Sequence, residues 1–439
     1  MASLGWSQAQ GPDAEAAERH PACPEPAGAG GPVAPVASRR ASWQESIAGR
    51  SVGLALTGLR PPDAAVLCWL GSSGWSTAWC AVPVGSAGTT LAQVYRHFGE
   101  VDAAGTSPLY EQVALAVSGS DEALHAIETA PARKRHPALI LAALHDLALA
   151  GQAQSLAAAY AAGDGGAAAG AAIDTLLRLT DPVVDLVTRR QLRTIESVRC
   201  SVLYPAIAEA AHRVGASAVG LIDVGAAAGL NLHVDRVGIT YSDGQHLGDP
   251  SSRVQLSASI VGHRSVPARA IPEVVARIGV GPDPYDLTDA DNARWLQACL
   301  WPDHPDRPER VARLDAELAL AVSAPPLMLR GDPIDMLPDA VARVPDEALA
   351  VVTTTWALSR FSPERRWGFR ERLGEAAADR PVAWVSAEGV GVAPTIPTLG
   401  DRPASGHSII GMVVSDRSTL RSEALGRCWS RGRTLSWLG

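Results

Sequence analysis

The pattern of apolar and polar positions divides the chain into a helical first part and a second part in which strands alternate with helices. From residue 89 onward apolar residues recur at helical spacing, and 137–150 is the most apolar of these stretches. After residue 218, short apolar runs end in turn residues and are separated by amphipathic segments. Six or seven strands with helices between most of them indicate a doubly wound sheet. The expected fold class is α/β, with an all-helical N-terminal module.

The same pattern predicts four segments. Residues 1–45 are rich in Ala, Gly, Pro and Ser and predict a disordered tail, because they can bury too little apolar surface to offset the entropy of ordering. Residues 46–90 form an accessory segment of uncertain structure. Residues 91–200 form the helical module, and residues 201–439 form an α/β domain in which 244–324 is an insertion between the second and third strands.

The most informative stretch is 219–235, VGLIDVGAAAGLNLHVD, which predicts a strand, a tight turn and a helix. Gly225 and Gly229 bracket a turn of small residues, so backbone N–H groups can approach a ligand closely. Asp243 ends a second predicted strand at 237–242, where a βαβ unit would place its carboxylate beside ribose hydroxyls. A turn of this kind is equally compatible with tight packing and no ligand.

A second informative stretch is 327–338, LMLRGDPIDMLP, in which a short strand ends at Gly331 and Asp332. Strand ends of this kind surround the ligand crevice in open α/β sheets. Asp332 could accept a hydrogen bond from an adenine amino group while Ile334 packs on the ring. The alternative is that Asp332 only caps the following turn.

A long helix is predicted over 182–214, and it carries several charged residues. Glu196 and Arg199 are three residues apart, so they share one helix face and can pair. One interpretation is a structural ion pair. The other is that these charges, together with Arg193, point into the cleft and hold a polar substrate.

The composition of the chain disfavours some classes of binding partner. The chain of 439 residues has one lysine, 37 arginines and a net charge of −8 without a basic block, which disfavours nucleic acid as a partner. The single Lys134 leaves no phosphate-binding loop that ends in Gly-Lys-Ser/Thr. We expect a small-molecule substrate, with a protein partner or a second copy of the chain as further partners.

Cysteine usage and hydropathy bear on the compartment. The six cysteines are scattered, without CxxC pairs or histidines at zinc-ligand spacing, so we expect reduced thiols and no metal centre. The N-terminus lacks a signal-peptide pattern, and 137–150 is too short to span a bilayer. These features predict a soluble, cytoplasmic protein that does not enter a membrane.

From about residue 95 onward the chain resembles a bacterial family that carries the placeholder name domain of unknown function 2332. The resemblance implies a methyltransferase-like Rossmann domain behind a helical N-terminal region, and it implies no activity. It is carried by TSPLYEQVAL (106–115), SVRCSVLYPAIA (197–208), DVGAAAGLNLHVDR (223–236), RWLQACLWPD (294–303), RGDPIDMLP (330–338) and WVSAEG (384–389).

The order of features also resembles class I S-adenosylmethionine methyltransferases. The resemblance implies a Rossmann-like sheet with the glycine-rich motif at 223–229, a ribose-binding acid at 243, an adenine-contacting acid at 332, and a segment at 355–356 that borders the methyl donor. The departures are Ala227 in place of glycine and the insertion of ~80 residues. The expected cofactor-binding residues are Asp223, Gly225, Ala227, Gly229, Asn231, Asp243, Asp332, Ile334 and Trp356.

Two functions are consistent with these features. The first is an S-adenosylmethionine-dependent methyltransferase acting on a small molecule, in which Glu388 is the first candidate for acceptor positioning or base work and Glu196 and Arg199 are weaker candidates. The second, motivated by Ala227 and by the absence of a clear base, is a catalytically silent methyltransferase-fold subunit that serves as a binding or scaffolding partner in a biosynthetic complex. A hydrolase is disfavoured, because Ala227 stands where a nucleophilic serine would be needed.

Overall fold

The structure is a computed structural model that describes residues 89–193, 197–304, 306–403, 406–416 and 419–438. All of these residues belong to one compact unit. The predicted tail at 1–45 and nearly all of the accessory segment at 46–90 lie outside the described residues.

The first described part is helical, as the apolar spacing predicts. Thr90 begins the first helix with a capping box, and Ser107 caps the second, whose first residue is Pro108. A π-helical turn, Phe98–Ala103, joins these two helices. The helices are α1 (Leu91–His97), α2 (Pro108–Ser118), α3 (Asp121–Glu128), α4 (Pro137–Leu149), α5 (Gln154–Ala162), α6 (Gly165–Arg178) and α7 (Thr180–Arg189).

Helix α4 is the centre of this module. It matches the apolar stretch 137–150 and nearly all of its residues are buried, including His145 and Asp146, of which Asp146 pairs with Arg294. None of the helices in the described part of the chain is long and apolar enough to cross a bilayer.

The prediction of one long helix over 182–214 is wrong, because α7 ends at Arg189. Arg190 is extended, and its guanidinium bonds Asn292 and lies over the ring of Tyr285. These tertiary contacts are incompatible with a helix that continues through Arg190. A 3-10 turn, Ser197–Arg199, then leads into the next helix.

The second part contains strands and the remaining helices. Ser362 caps the last helix, where its hydroxyl accepts from the N–H of Arg365. The strands are β1 (Ala218–Val224), β2 (Gly238–Tyr241), β3 (His246–Gly248), β4 (Gln255–Ile260), β5 (Glu273–Gly281), β6 (Leu327–Arg330), β7 (Leu349–Thr355), β8 (Val382–Gly389), β9 (Ser408–Asp416), β10 (Thr419–Trp429) and β11 (Thr434–Trp437). The helices are α8 (Cys200–Val214), α9 (Ala290–Ala298), α10 (Arg307–Ser323), α11 (Leu337–Ala342) and α12 (Pro363–Ala376).

The strands form one large, mostly parallel sheet, so the protein is of the α/β class. Its order is β3-β2-β4-β11-β10-β9-β8-β7-β1-β5-β6. β1 lies between β5 and β7 and is parallel to both, and β6 and β8 extend this parallel block on either side. β9 and β10 then run antiparallel to their neighbours. The carboxyl ends of five parallel strands therefore meet at one edge.

The segment 244–324, predicted as an insertion between the second and third strands, itself contributes strands to the sheet. It contains β3, β4 and β5, and β5 pairs with β1 along the whole of β1. The predicted second strand exists as β2, but six strands separate it from β1. β5 can take the position beside β1 because its last four residues are all buried and include two glycines, which let the neighbouring chain approach closely.

Candidate functional site

A cavity of about 120 Å³ lies at the edge where β1 and β7 end. Its floor is formed by the end of β1 and the glycine turn that follows, and one wall by the turn after β7. The segment between α7 and α8 and one residue of α9 complete the lining, so the helical module contributes to the site. The lining residues are Leu192, Arg193, Ser197, Arg199, Asp223 to Asn231, Leu296, Thr355, Trp356, Ala357 and Arg360.

The glycine turn packs tightly against β5. Gly225 and Gly229 have φ of +79° and +66°, a conformation that favours glycine. The N–H groups of Gly225 and Ala226 both donate to the carbonyl of Val280, at 2.8 and 3.1 Å. The first two N–H groups of the turn are therefore engaged within the protein.

The segment after the turn is a 3-10 helix, Leu230–Arg236, and not the α-helix that the apolar pattern predicts. His233 departs from helical dihedral angles, and its Nε2 lies 2.9 Å from the carbonyl oxygen of Ala324. The segment is also tied to β5, because the guanidinium of Arg277 forms two hydrogen bonds with the carboxylate of Asp235. These contacts hold a short connection that leads directly into β2.

Asp223 is a buried carboxylate in the cavity lining. The hydroxyl of Thr353 donates to it at 3.1 Å, and the Asn231 side chain also bonds it. Burial raises the pKa of Asp223 to about 6, and the nearby Arg199 partly opposes this shift. Asp223 can therefore gain or lose a proton close to neutral pH.

Trp356 lies in the turn after β7, in a strained conformation. Its φ is +53°, which is unusual for a bulky residue. Its indole N–H donates to the hydroxyl of Ser408 at 2.8 Å, and the guanidinium of Arg199 lies 5.3 Å from the ring centroid. Arg199 also bonds the carbonyl and hydroxyl oxygens of Thr355, both at 3.3 Å. Arg199 and Trp356 thus form one wall of the cavity.

Glu388, the first candidate for acceptor positioning or base work, is not among the residues that line the cavity. It ends β8 and is buried, and its Oε1 accepts from the N–H groups of Ala357 and Leu358 at 3.0 and 3.1 Å. Burial raises the pKa of Glu388 to about 7, although these N–H donors oppose the shift. Glu388 is a positioning residue that holds the turn carrying Trp356.

Asp243 is far from the predicted ribose position. It is exposed in the turn between β2 and β3, where it accepts from the N–H of Gln245 at 3.1 Å, and it does not line the cavity. The cause is the strand order, since β2 is not the neighbour of β1.

Asp332 and Ile334 follow β6 but also stay out of the cavity lining. Asp332 accepts from the N–H of Ile334 at 3.0 Å and pairs with Arg365 at 2.5 Å. The side chain of Ile334 is buried in the core. These are the contacts of a capping aspartate, the alternative that the sequence left open for Asp332.

The sequence interpretation missed Asp283, which follows the strand that does lie beside β1. Its carboxylate pairs with Arg330 at 3.0 Å and lies 3.9 Å from Arg193. Arg193 also lies over the ring of Tyr285, 4.9 Å from its centroid. The signal that could have found Asp283 is the Gly-Pro-Asp triplet at 281–283, which resembles the strand end at 331–333.

The cavity brings together most of the expected cofactor residues and some of the expected charges. Glu196 lies outside the described residues. Arg193, Arg199 and Arg360 all line the cavity. The expected cofactor residues found there are Asp223, Gly225, Ala227, Gly229, Asn231 and Trp356.

A family model described as an uncharacterised protein conserved in bacteria (DUF2332) matches residues 92–437. No curated protein and no solved structure matches the chain.

Proposed function

The chain belongs to the uncharacterised bacterial family DUF2332, and we propose that it is an S-adenosylmethionine-dependent methyltransferase that acts on a small molecule. The strand order supports a Rossmann-like core. Numbered along the chain, the five strands of the parallel block have the order 3-2-1-4-5. This is the order of the doubly wound sheets that bind nucleotides at their carboxyl edge.

The observation that carries the proposal is the position of the cavity. The order of the parallel strands reverses between β1 and β7, and the cavity lies at the carboxyl ends of these two strands. Ligands of open α/β sheets bind at such a switch point. The strained Trp356 and the glycine turn border the same place, and small residues there leave room for a ligand.

The residues at this edge are of the kind that a methyl-donor nucleoside needs. Asp223 lies in the lining, and Asp283, which does not line the cavity, would take the place of Asp243 as the acid after the strand beside β1. The cavity of about 120 Å³ is smaller than the ~300–1,000 Å³ of typical ligand pockets. It would therefore take only part of the donor, and the remainder would lie outside it near Asp283, whose side chain is 32% exposed.

Methyl transfer from this donor requires few catalytic groups of the protein. When bound, the donor supplies an activated methyl group, so the protein has to align the acceptor and remove a proton where one is lost. Asp223 suits proton removal, because its pKa of about 6 lets it accept a proton near neutral pH. Glu388 holds the wall of the site in place through Ala357 and Leu358.

Calorimetry with S-adenosylhomocysteine tests the proposal. We expect binding to the wild type and weaker binding to Asp283→Asn. Asp243→Asn is the matched control, because it removes an exposed carboxylate that does not line the cavity. The proposal is wrong if the wild type shows no binding at millimolar ligand, or if the two variants lose affinity equally.

A catalytically silent subunit that binds a protein partner is the second candidate. This candidate is favoured because the carboxylates near the sheet edge already have partners in the protein. Asp283 pairs with Arg330, and Asp332 pairs with Arg365. Glu388 accepts from backbone N–H groups. This candidate predicts a stable co-purifying partner and no S-adenosylhomocysteine binding. Turnover by the isolated chain would exclude it.

A further inference from the structure

Positive charge is concentrated in the cavity lining, where Arg193, Arg199 and Arg360 meet. Arg193 lies near the carboxylate of Asp283 and over the ring of Tyr285. Arg199 bonds Thr355 and lies over the ring of Trp356. The Arg360 guanidinium forms no hydrogen bond or ion pair with any residue that the structure describes.

The backbone that presents Arg360 is held in place. Arg360 ends a 3-10 turn, Leu358–Arg360, and its N–H donates to the carbonyl of Ala357 at 3.2 Å. Glu388 binds the start of this turn through two N–H groups. The fixed turn limits the backbone entropy that is lost when Arg360 binds a ligand, so the remaining loss is the rotamer entropy of the side chain.

Among the described residues that line the cavity, three arginines stand against one carboxylate, that of Asp223, and Arg360 is exposed to solvent. Desolvation by surrounding protein atoms and the charge of Arg193 both lower the pKa of Arg360, while the charge of Glu388 opposes this shift. Asp223 is the carboxylate of the lining, and its Oδ1 already accepts from Thr353. A bound oxyanion would neutralise the remaining positive charge, and the planar guanidinium matches a carboxylate or a phosphate in two parallel hydrogen bonds.

We propose that the substrate of this site is a small acid whose carboxylate or phosphate group is bound by Arg360 and Arg193. At ~30 Å³ for each water-sized group, the cavity of about 120 Å³ holds about four such groups, so it can take an acidic group only beside the small part of the donor that enters it. The identification of this ligand as a methyl acceptor rests on the proposed function, whereas anion binding itself does not.

Ligand-observed NMR with acetate and with inorganic phosphate tests anion binding, and acetamide is the neutral analogue of acetate. We expect saturable binding of at least one anion, no binding of acetamide, and an affinity about 10-fold lower in Arg360→Gln. Arg372→Gln is the matched control, because Arg372 is an exposed arginine of α12 that pairs with Glu375 and does not line the cavity. Binding of acetate indicates a carboxylic acid, and binding of phosphate indicates a phosphate ester.

A second measurement uses the wild-type protein and does not depend on a variant. Phenylglyoxal modifies accessible arginines, and mass spectrometry gives the rate at Arg360. We expect the anion that binds to slow this rate several-fold and to leave the rate at Arg372 unchanged. The inference is wrong if neither anion binds, if Arg360→Gln binds as the wild type does, or if the anion leaves the rate at Arg360 unchanged.

The two proposals fail in different ways. Binding of S-adenosylhomocysteine without anion binding would overturn the acidic substrate and leave the methyltransferase. Anion binding without S-adenosylhomocysteine binding would overturn the methyltransferase and leave an acid-binding site.

Discussion

Oε1 of Glu388 lies 3.0 Å from the backbone nitrogen of Ala357, and this contact joins the end of β8 to the turn after β7. The turn carries Trp356 with a φ of +53°, a strained conformation that costs ~1–3 kcal/mol and persists only where the surrounding contacts enforce it. The buried carboxylate thus stabilises the wall of the cavity, although it does not touch the cavity itself.

We predict that Glu388→Gln changes the pH dependence of stability. Burial raises the pKa of Glu388 from 4.5 to about 7. Between these values the folded protein holds a proton that the unfolded chain has lost, so the free energy of unfolding falls as pH rises through this window. The fall amounts to at most about 3 kcal/mol, and Gln cannot titrate, so the variant lacks this contribution.

Urea unfolding at pH 5 and pH 8 measures the effect. Asp223 acts in the same direction in both proteins, because its pKa is also raised, so the difference between the two proteins isolates Glu388. An identical pH dependence in the wild type and the variant would contradict a titrating carboxylate at this position.

We predict that Gly225→Ala destabilises the protein and weakens ligand binding. The φ of +79° costs a side chain about 1–2 kcal/mol, and the new Cβ would lie 3.3 Å from Cβ of Ala357. The added methyl group would push against the cavity wall. Thermal unfolding and calorimetry with S-adenosylhomocysteine measure the two effects.

Gly244→Ala is the control for this substitution. Gly244 has a similar φ of +87°, but no atom lies within 4 Å of the added Cβ. We expect the same backbone cost and unchanged ligand affinity. Equal affinities in the two variants would show that the turn at Gly225 does not border the ligand.

We predict that Arg277→Gln destabilises the protein by about 3 kcal/mol, because it leaves the partly buried Asp235 without its charged partner. Arg277 is 9% exposed and binds both carboxylate oxygens, at 2.6 and 2.7 Å. Arg178→Gln is the control, since its pair with Asp174 is exposed and should contribute less than about 0.5 kcal/mol. Equal losses in urea unfolding would contradict a special role for the pair on β5.

Local patterns in the sequence were sufficient for much of the fold. The apolar run at β1 and the apolar helix α4 both lie where the pattern predicts them. These features depend on side chains within a few residues of one another. β10 was missed because Arg421, Glu423 and Arg427 interrupt its apolar pattern, and its pairing with β9 provides the stabilisation.

The sequence by itself determined the glycine turn after β1 and the small residues that leave space above it. Only the tertiary structure decided which strand lies beside β1, since the sequence predicted the strand before Asp243 and the structure places β5, which precedes Asp283, in that position. Strand pairing depends on contacts between residues far apart in the chain, and here the close approach of Gly281 to Ala226 brings β5 beside β1. The contact between Glu388 and Ala357 could not be predicted for the same reason. Ala357 lies 31 residues earlier in the chain, and the two residues come into contact only in the folded sheet.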